Sequence, residues 1–162
     1  MTEDALSRLS ELCQGCGLCC GGSFFRYVML TEPEVTRLAG VRVETVIRRD
    51  GLKAIRLPCQ GLAGTRCGVY TVRPEACRAY VCLLGQWLGR GDVALSEALD
   101  RVHEAQALLT EVDENLPPLG EGELKASLQR AYQHGLLCGP ALLRRTEAFL
   151  RDWFLGPDEP RR

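Results

Sequence analysis

The sequence predicts an α+β fold: a small cysteine-rich loop and β-ribbon region packed with several α-helices. Three observations carry this prediction. Beyond residue 91, apolar side chains recur three and four positions apart, the period of an amphipathic helix. Before residue 90, glycines alternate with eight cysteines, and two β-favouring runs flank Asp50-Gly51. A chain of 162 residues is also long enough to bury a core without disulfides. The expected organisation is a single domain over 1–162. It comprises a cysteine-cluster part at 1–90, a helical part at 91–156 and a frayed tail at 157–162.

Taken in order, residues 3–12 set Leu6 and Leu9 on one face of a short helix, with Cys13 just beyond. Gly15, Gly17, Gly21 and Gly22 should break that helix and permit tight turns. Phe24 to Leu30 reads as a strand. Thr31-Glu32-Pro33-Glu34 reads as an N-cap with proline in the first turn, opening a helix to about Gly40. Val41 to Arg49 and Leu52 to Leu57 flank Asp50-Gly51, the signature of a two-residue hairpin turn. Pro58 to Cys82 reads as loop. Leu95, Leu99, Val102, Gln106, Leu109, Val112 and Leu116 form one helical stripe, stopped at Pro117-Pro118. Leu124, Leu128, Ala131 and Tyr132 form a second, ending near Gly135. Leu142, Leu143, Phe149, Leu150, Trp153 and Phe154 form a third, ending at Gly156-Pro157. These stripes are expected to close over the cysteine half.

With 46% hydrophobic and 25% charged residues, the composition is that of an ordinary soluble globular chain. The acidic start lacks the basic and apolar regions of a signal peptide, and no run approaches the ~20 apolar residues of a membrane span. A cytoplasmic protein without a membrane partner is expected. The net charge of −1 provides no global basic field, so nucleic acid is not an expected partner. The charge is nevertheless divided. Residues 1–90 hold 12 Lys+Arg against 8 Asp+Glu, and residues 91–162 hold 8 against 13. Four thiolates on a divalent ion leave a site charge of about −2, so a basic surplus in the cysteine half reads as counter-charge.

Nine cysteines are the most informative feature. Eight lie between Cys13 and Cys82, and Cys138 stands apart as a buried thiol. Cys13-Gln14-Gly15-Cys16-Gly17-Leu18-Cys19-Cys20 is a C-x2-C-x2-C-C run, and Cys59, Cys67, Cys77 and Cys82 follow. Cysteines two residues apart can aim at one ion. Cys19 and Cys20 are adjacent and their side chains diverge, so a larger cluster or two neighbouring sites accommodates both. Eight thiols without histidine suit zinc or iron, as mononuclear sites or an iron–sulfur cluster, and not calcium or magnesium.

The opening run and Cys59 are followed by Arg66-Cys67-Gly68-Val69-Tyr70-Thr71-Val72-Arg73-Pro74-Glu75-Ala76-Cys77-Arg78-Ala79-Tyr80-Val81-Cys82. Together these residues resemble the YkgJ-like CxxCxxCC cysteine-cluster family, described as a zinc- or iron-chelating domain. Every cysteine of the family pattern is present, with Val69 for the usual isoleucine and Tyr80 for the usual phenylalanine. The resemblance covers residues 13–82 and implies metal binding through Cys13, Cys16, Cys19, Cys20, Cys59, Cys67, Cys77 and Cys82. A second resemblance, to the cysteine-rich part of flagellin lysine methylases, implies an iron–sulfur redox or electron-transfer component as the alternative.

Arg73 and Arg78 are the candidates to support the sulfurs by hydrogen bonds, with Arg66 behind them. Tyr70 and Tyr80 are expected to pack the cluster away from water. His103 and His134 have no ligand spacing, and His134 suits a helix C-terminus. Glu111, Asp113 and Glu114 read as a solvated face. No catalytic motif is present: G-x-S-x-G, G-x-x-x-x-G-K-[ST] and H-E-x-x-H are all missing. Non-enzymatic metal binding is therefore expected, with a protein partner on the C-terminal helices if the metal is structural.

Overall fold

The computed structural model describes residues 3–120, 126–134 and 139–156. Helix α1 (Glu3–Cys16) runs further than the glycines suggest. Gly15 is absorbed into its last turn, and the helix ends only at Gly17, whose φ of 68° is a left-handed value that glycine adopts without strain. Ala5 and Leu12 are buried on α1 and Leu9 is half-buried, while Leu6 is exposed. The inward face is therefore Ala5, Leu9 and Leu12, the face met by the helices that pack on α1, and Leu6 does not belong to it.

A three-stranded antiparallel sheet follows, from β1 (Tyr27–Met29), β2 (Thr45–Ile47) and β3 (Lys53–Arg56) in the order β1-β3-β2. Val28 pairs with Ile55, and Thr45 pairs with the same Ile55 from the other side. The strand expected over Phe24 to Leu30 shrinks to three residues because its start is claimed by another core. Phe24 is buried among the helices, 5.8 Å from the Phe154 ring, and Phe25 packs beside it. Helix α2 (Glu32–Leu38) begins at Thr31 with proline in the first turn, as the sequence predicts.

The β2–β3 turn differs from the expected two-residue form. Gly51 N donates to the Arg48 carbonyl and Arg48 N to the Leu52 carbonyl, both at 2.9 Å. Arg49, Asp50 and Gly51 thus make a three-residue loop, with Gly51 at φ 80° in the bulge position. Within the loop, Asp50 pairs with Arg48 at 3.0 Å and accepts from Leu52 N at 3.2 Å.

The stretch from Pro58 to Cys82 contains more regular structure than the loop expected there. A two-stranded ribbon, β4 (Leu62–Ala63) with β5 (Arg66–Cys67), is followed by a 3-10 turn at Tyr70–Val72 and by α3 (Glu75–Ala79). Helix α4 (Leu83–Arg90), absent from the sequence reading, begins immediately after Cys82.

The helical part consists of α5 (Leu95–Glu114), α6 (Ser127–Gln133) and α7 (Pro140–Leu150), the last continuing into a π-helical turn at Arg151–Leu155. Helix α5 packs against α1, α4, α6 and α7, and α4 packs against α1. Ala98, Val102, Ala105, Leu109 and Val112 form its buried stripe, in a core shared with Leu12, Leu84, Leu88 and Leu150. Tyr132, expected on the second stripe, is exposed. A smaller core of Leu38, Val43 and Ile55 lies beneath the sheet.

Asp113 is partly exposed but does more than face solvent. It accepts from Arg130 Nη1 at 2.5 Å and from Ser127 Oγ at 2.7 Å, and the buried Arg130 also donates to the Pro117 carbonyl. Glu111 pairs with Arg145 at 2.8 Å, linking α5 to α7. Among the described residues, no helix is long and apolar enough to cross a membrane. Cys138, Leu124 and the tail 157–162 lie outside the described residues.

Candidate metal centre

Cys13 and Cys16 sit three residues apart in the last turns of α1, on one helical face. The sequence reading put them in a glycine turn; the helix holds them more rigidly than a turn would. After Gly17 the chain reverses tightly. Gly21 N donates to the Gly17 carbonyl at 2.7 Å and Gly22 N to the Cys19 carbonyl at 3.1 Å, which fixes Cys19 and Cys20 in successive turns.

The later cysteines reach this run by four routes. Cys59 N donates to the Cys20 carbonyl at 2.8 Å, tying the end of β3 to the first cysteine run. Cys67 stands opposite Leu62 in the β4–β5 ribbon. The turn of that ribbon crosses directly over Gly17, where an added Cβ would lie 2.9 Å from the Thr65 carbonyl oxygen. Cys77 rides on α3. Cys82 caps α4, its sulfur accepting from Gly85 N at 3.4 Å. Helix α4 in turn lies on α1, with Gly85 facing Leu9.

The result is one cavity of about 660 Å³ with all eight cysteines on its wall. The rest of the lining is largely apolar and includes Phe24, Phe25 and Tyr80. Cys13 is exposed as a residue, yet it too borders the cavity, and the other seven are partly buried. All eight are free thiols.

Burial dominates their electrostatics. It pushes Cys16 and Cys20 up to about 12, and Cys77 and Cys82 up to about 11. Cys19 is raised well above the usual thiol range, and Cys13 and Cys59 are raised as well. In each case the apolar surroundings disfavour the thiolate first, and for most of them neighbouring sulfurs add repulsion. Without a cation, burial keeps these seven thiols protonated at neutral pH. A cation would reverse this balance, because a bound metal deprotonates its thiol ligands outright.

The donor set fits zinc or iron: soft sulfur ligands, no imidazole, and a low-dielectric wall. Among the described residues, no three His, Cys, Asp or Glu side chains are already arranged to hold an ion. Four sulfurs on zinc stand about 3.8 Å apart at Zn–S bonds of about 2.3 Å, a spacing that neutral thiols have no force to adopt. Binding therefore has to draw the side chains inward.

Arg73 is half-buried with its guanidinium 3.8 Å from the Tyr70 ring centroid, and its charge offsets part of the burial-driven rise at both Cys13 and Cys77. Its Nε is buried without a hydrogen-bond partner. Arg78 lies elsewhere. It is exposed and clamps the preceding turn, donating to the carbonyls of Arg73 at 3.1 Å and Thr71 at 2.8 Å. Arg66 is exposed on β5. Tyr70 shares a 2.7 Å hydrogen bond with Ser10 of α1, and Tyr80 meets Phe25 edge-on at 4.8 Å. His103 and His134 are exposed, His134 at the C-terminus of α6.

Two supporting residues escaped the sequence reading. Glu34 is buried and accepts from Thr31 N (2.7 Å), Thr31 Oγ (2.8 Å) and Glu75 N (2.7 Å), so it joins α2 to the first turn of the helix that carries Cys77. The Thr-x-x-Glu spacing of a capping box was its signal. Gln106 donates from Nε2 to the carbonyls of Gly15 at 3.1 Å and Cys16 at 2.9 Å, capping the end of α1. A glutamine inside an apolar stripe was the signal there.

A family model for CxxCxxCC domains, described as a candidate zinc- or iron-chelating domain, matches residues 12–99. The match covers more than half of the chain and takes in α4 and the start of α5 as well as the cysteines. No curated protein and no solved structure matches the chain.

Proposed function

The chain belongs to the CxxCxxCC family of zinc- or iron-chelating domains, and on that premise we propose that it holds zinc or iron through its eight clustered cysteines, in a structural or chelating role. The observation that carries this reading is convergence. Cys59, Cys67, Cys77 and Cys82 are 39 or more residues downstream of Cys20, yet all four share a cavity wall with the opening run. Buried thiols of merely structural purpose have no reason to gather from four separate elements. Arg73 supplies positive charge where thiolates would form, and the aromatic wall limits water.

The deciding experiment is elemental analysis with an absorption spectrum, on protein purified without oxygen or chelator. Zinc, or iron held by thiolates, is the expected result. A chain that carries no metal and takes up none when offered zinc or iron(II) would sink the proposal.

The alternative, an iron–sulfur redox or electron-transfer component, is favoured by one observation. A cavity of about 660 Å³ walled by thiols is larger than a single ion needs. Reconstitution with iron and sulfide should then give brown protein with acid-labile sulfide and a reducible cluster. Colourless, redox-silent protein after that treatment excludes it.

A further inference from the structure

The eight cysteines do not surround one point. Cys13 and Cys16 belong to α1, and Cys82 belongs to the start of α4, which lies on α1. Cys16, Cys19 and Cys82 all pack against the large helical core. Cys59 packs instead against the small core under the sheet. Its backbone is bonded to that of Cys20, and the ribbon bearing Cys67 springs from the same segment, Leu62 N donating to the Cys59 carbonyl at 3.0 Å. Cys77 stands on α3, which packs on β1 and is pinned to α2 through Glu34. Of the adjacent pair, Cys19 packs on the helical core, while Cys20 is tied through its backbone to Cys59.

We propose that the cysteines form two separate four-thiol metal sites, Cys13, Cys16, Cys19 and Cys82 on the helical side and Cys20, Cys59, Cys67 and Cys77 on the sheet side. This rests on the metal-binding reading above and assigns the ligands within it.

Each set supplies the four thiolates of a closed tetrahedral site, leaving about −2 on each filled site. Two such charges side by side repel, and Arg73 stands where it offsets both, near Cys13 of one set and Cys77 of the other. Its buried, unpartnered Nε is a donor without an acceptor until a thiolate forms. On binding, each ion displaces four thiol protons to solvent and no electron is transferred.

The test uses the full chain, reduced with a phosphine under argon, and cobalt(II) as the probe. Sulfur-to-cobalt charge-transfer absorbance should rise linearly to two equivalents in the wild type. Cys19→Ser and Cys20→Ser should each keep one tight equivalent, although they alter neighbouring residues. Wild-type saturation at one equivalent, or loss of all tight cobalt from either single variant, would overturn the division while leaving metal binding intact. A wild-type chain that binds no cobalt would overturn the underlying reading instead. Because a variant can fail by misfolding, the wild type also provides an independent measurement. Two isolated sites keep the full high-spin cobalt paramagnetic resonance signal at two equivalents. A thiolate-bridged cluster would quench it, and that result too rejects the division.

Discussion

Replacing Glu34 by glutamine tests how the sheet-side cysteines are held. The carboxylate accepts three hydrogen bonds at 2.7–2.8 Å, two from backbone N–H groups and one from the Thr31 hydroxyl, and it lies 3.7 Å from Arg37. An amide has one acceptor oxygen. Whichever way it is turned, its NH2 faces either Thr31 N–H or Glu75 N–H, and one of these is left without an acceptor. Orphaning a buried donor costs about 1–3 kcal/mol and the surviving bonds lose their charge assistance, so Glu34→Gln should destabilise the chain by about 2–4 kcal/mol. Urea unfolding of the metal-free, reduced protein measures this without interference from thiolate ligation. The backbone hydrogen bonds from Thr31 and then Glu75 hold the Glu34 carboxyl below its ordinary range. Its folded pKa is depressed, so its stabilisation is present above the unfolded value of about 4.3 and disappears as pH falls through the folded one. The gap between wild type and variant should therefore close in acid. A Glu34→Gln protein within about 0.5 kcal/mol of wild type at pH 7, the range of ordinary surface changes, would refute the argument. So would a gap that stays constant down to pH 3.

Four further outcomes follow from the same geometry. Gln106→Leu leaves the Gly15 and Cys16 carbonyls without their donor and should cost about 1–3 kcal/mol in urea unfolding, with weaker cobalt binding on the Cys16 side. Gly17→Ala places a Cβ 2.9 Å from the Thr65 oxygen at a left-handed φ; the strain alone is about 1–3 kcal/mol, and a variant as stable as wild type would deny the close approach of the ribbon. In metal-free protein, stability should be intact below the unfolded thiol pKa of about 8.5 and decline as pH rises towards the raised folded values, seen as a falling urea midpoint between pH 8 and 11. Removing the metal should reduce, without abolishing, the near-ultraviolet circular dichroism from Phe25, Tyr70 and Tyr80 while the Trp87–Trp153 edge contact in the helical part persists; an unchanged spectrum argues against coupling of metal and folding.

The α+β class, the capped start of α2, the β2–β3 pairing and the three C-terminal helices were legible in the chain because each depends on neighbours a few residues apart. Thr31 and Pro33 announce a helix start, Asp50-Gly51 a reversal, and the stripe from Leu95 to Leu116 a buried face. The eight cysteines and their metal chemistry were equally visible, since a C-x2-C-x2-C-C run needs no tertiary information to be read. Other features required the fold. Gly15 reads as a breaker until α5 supplies Gln106 to satisfy the carbonyls at the end of α1, and only then do Cys13 and Cys16 stand on a helix. Phe24 reads as strand until the helical core draws it in. Arg73 and Arg78 are equivalent in sequence, yet one faces the thiols and the other binds backbone carbonyls. The sequence by itself thus determined the candidate ligands and the kind of element, which are properties of residue type and short-range period. The tertiary structure decided how the thiols are brought together, because two separate cores hold Cys19 and Cys59, which both line one cavity.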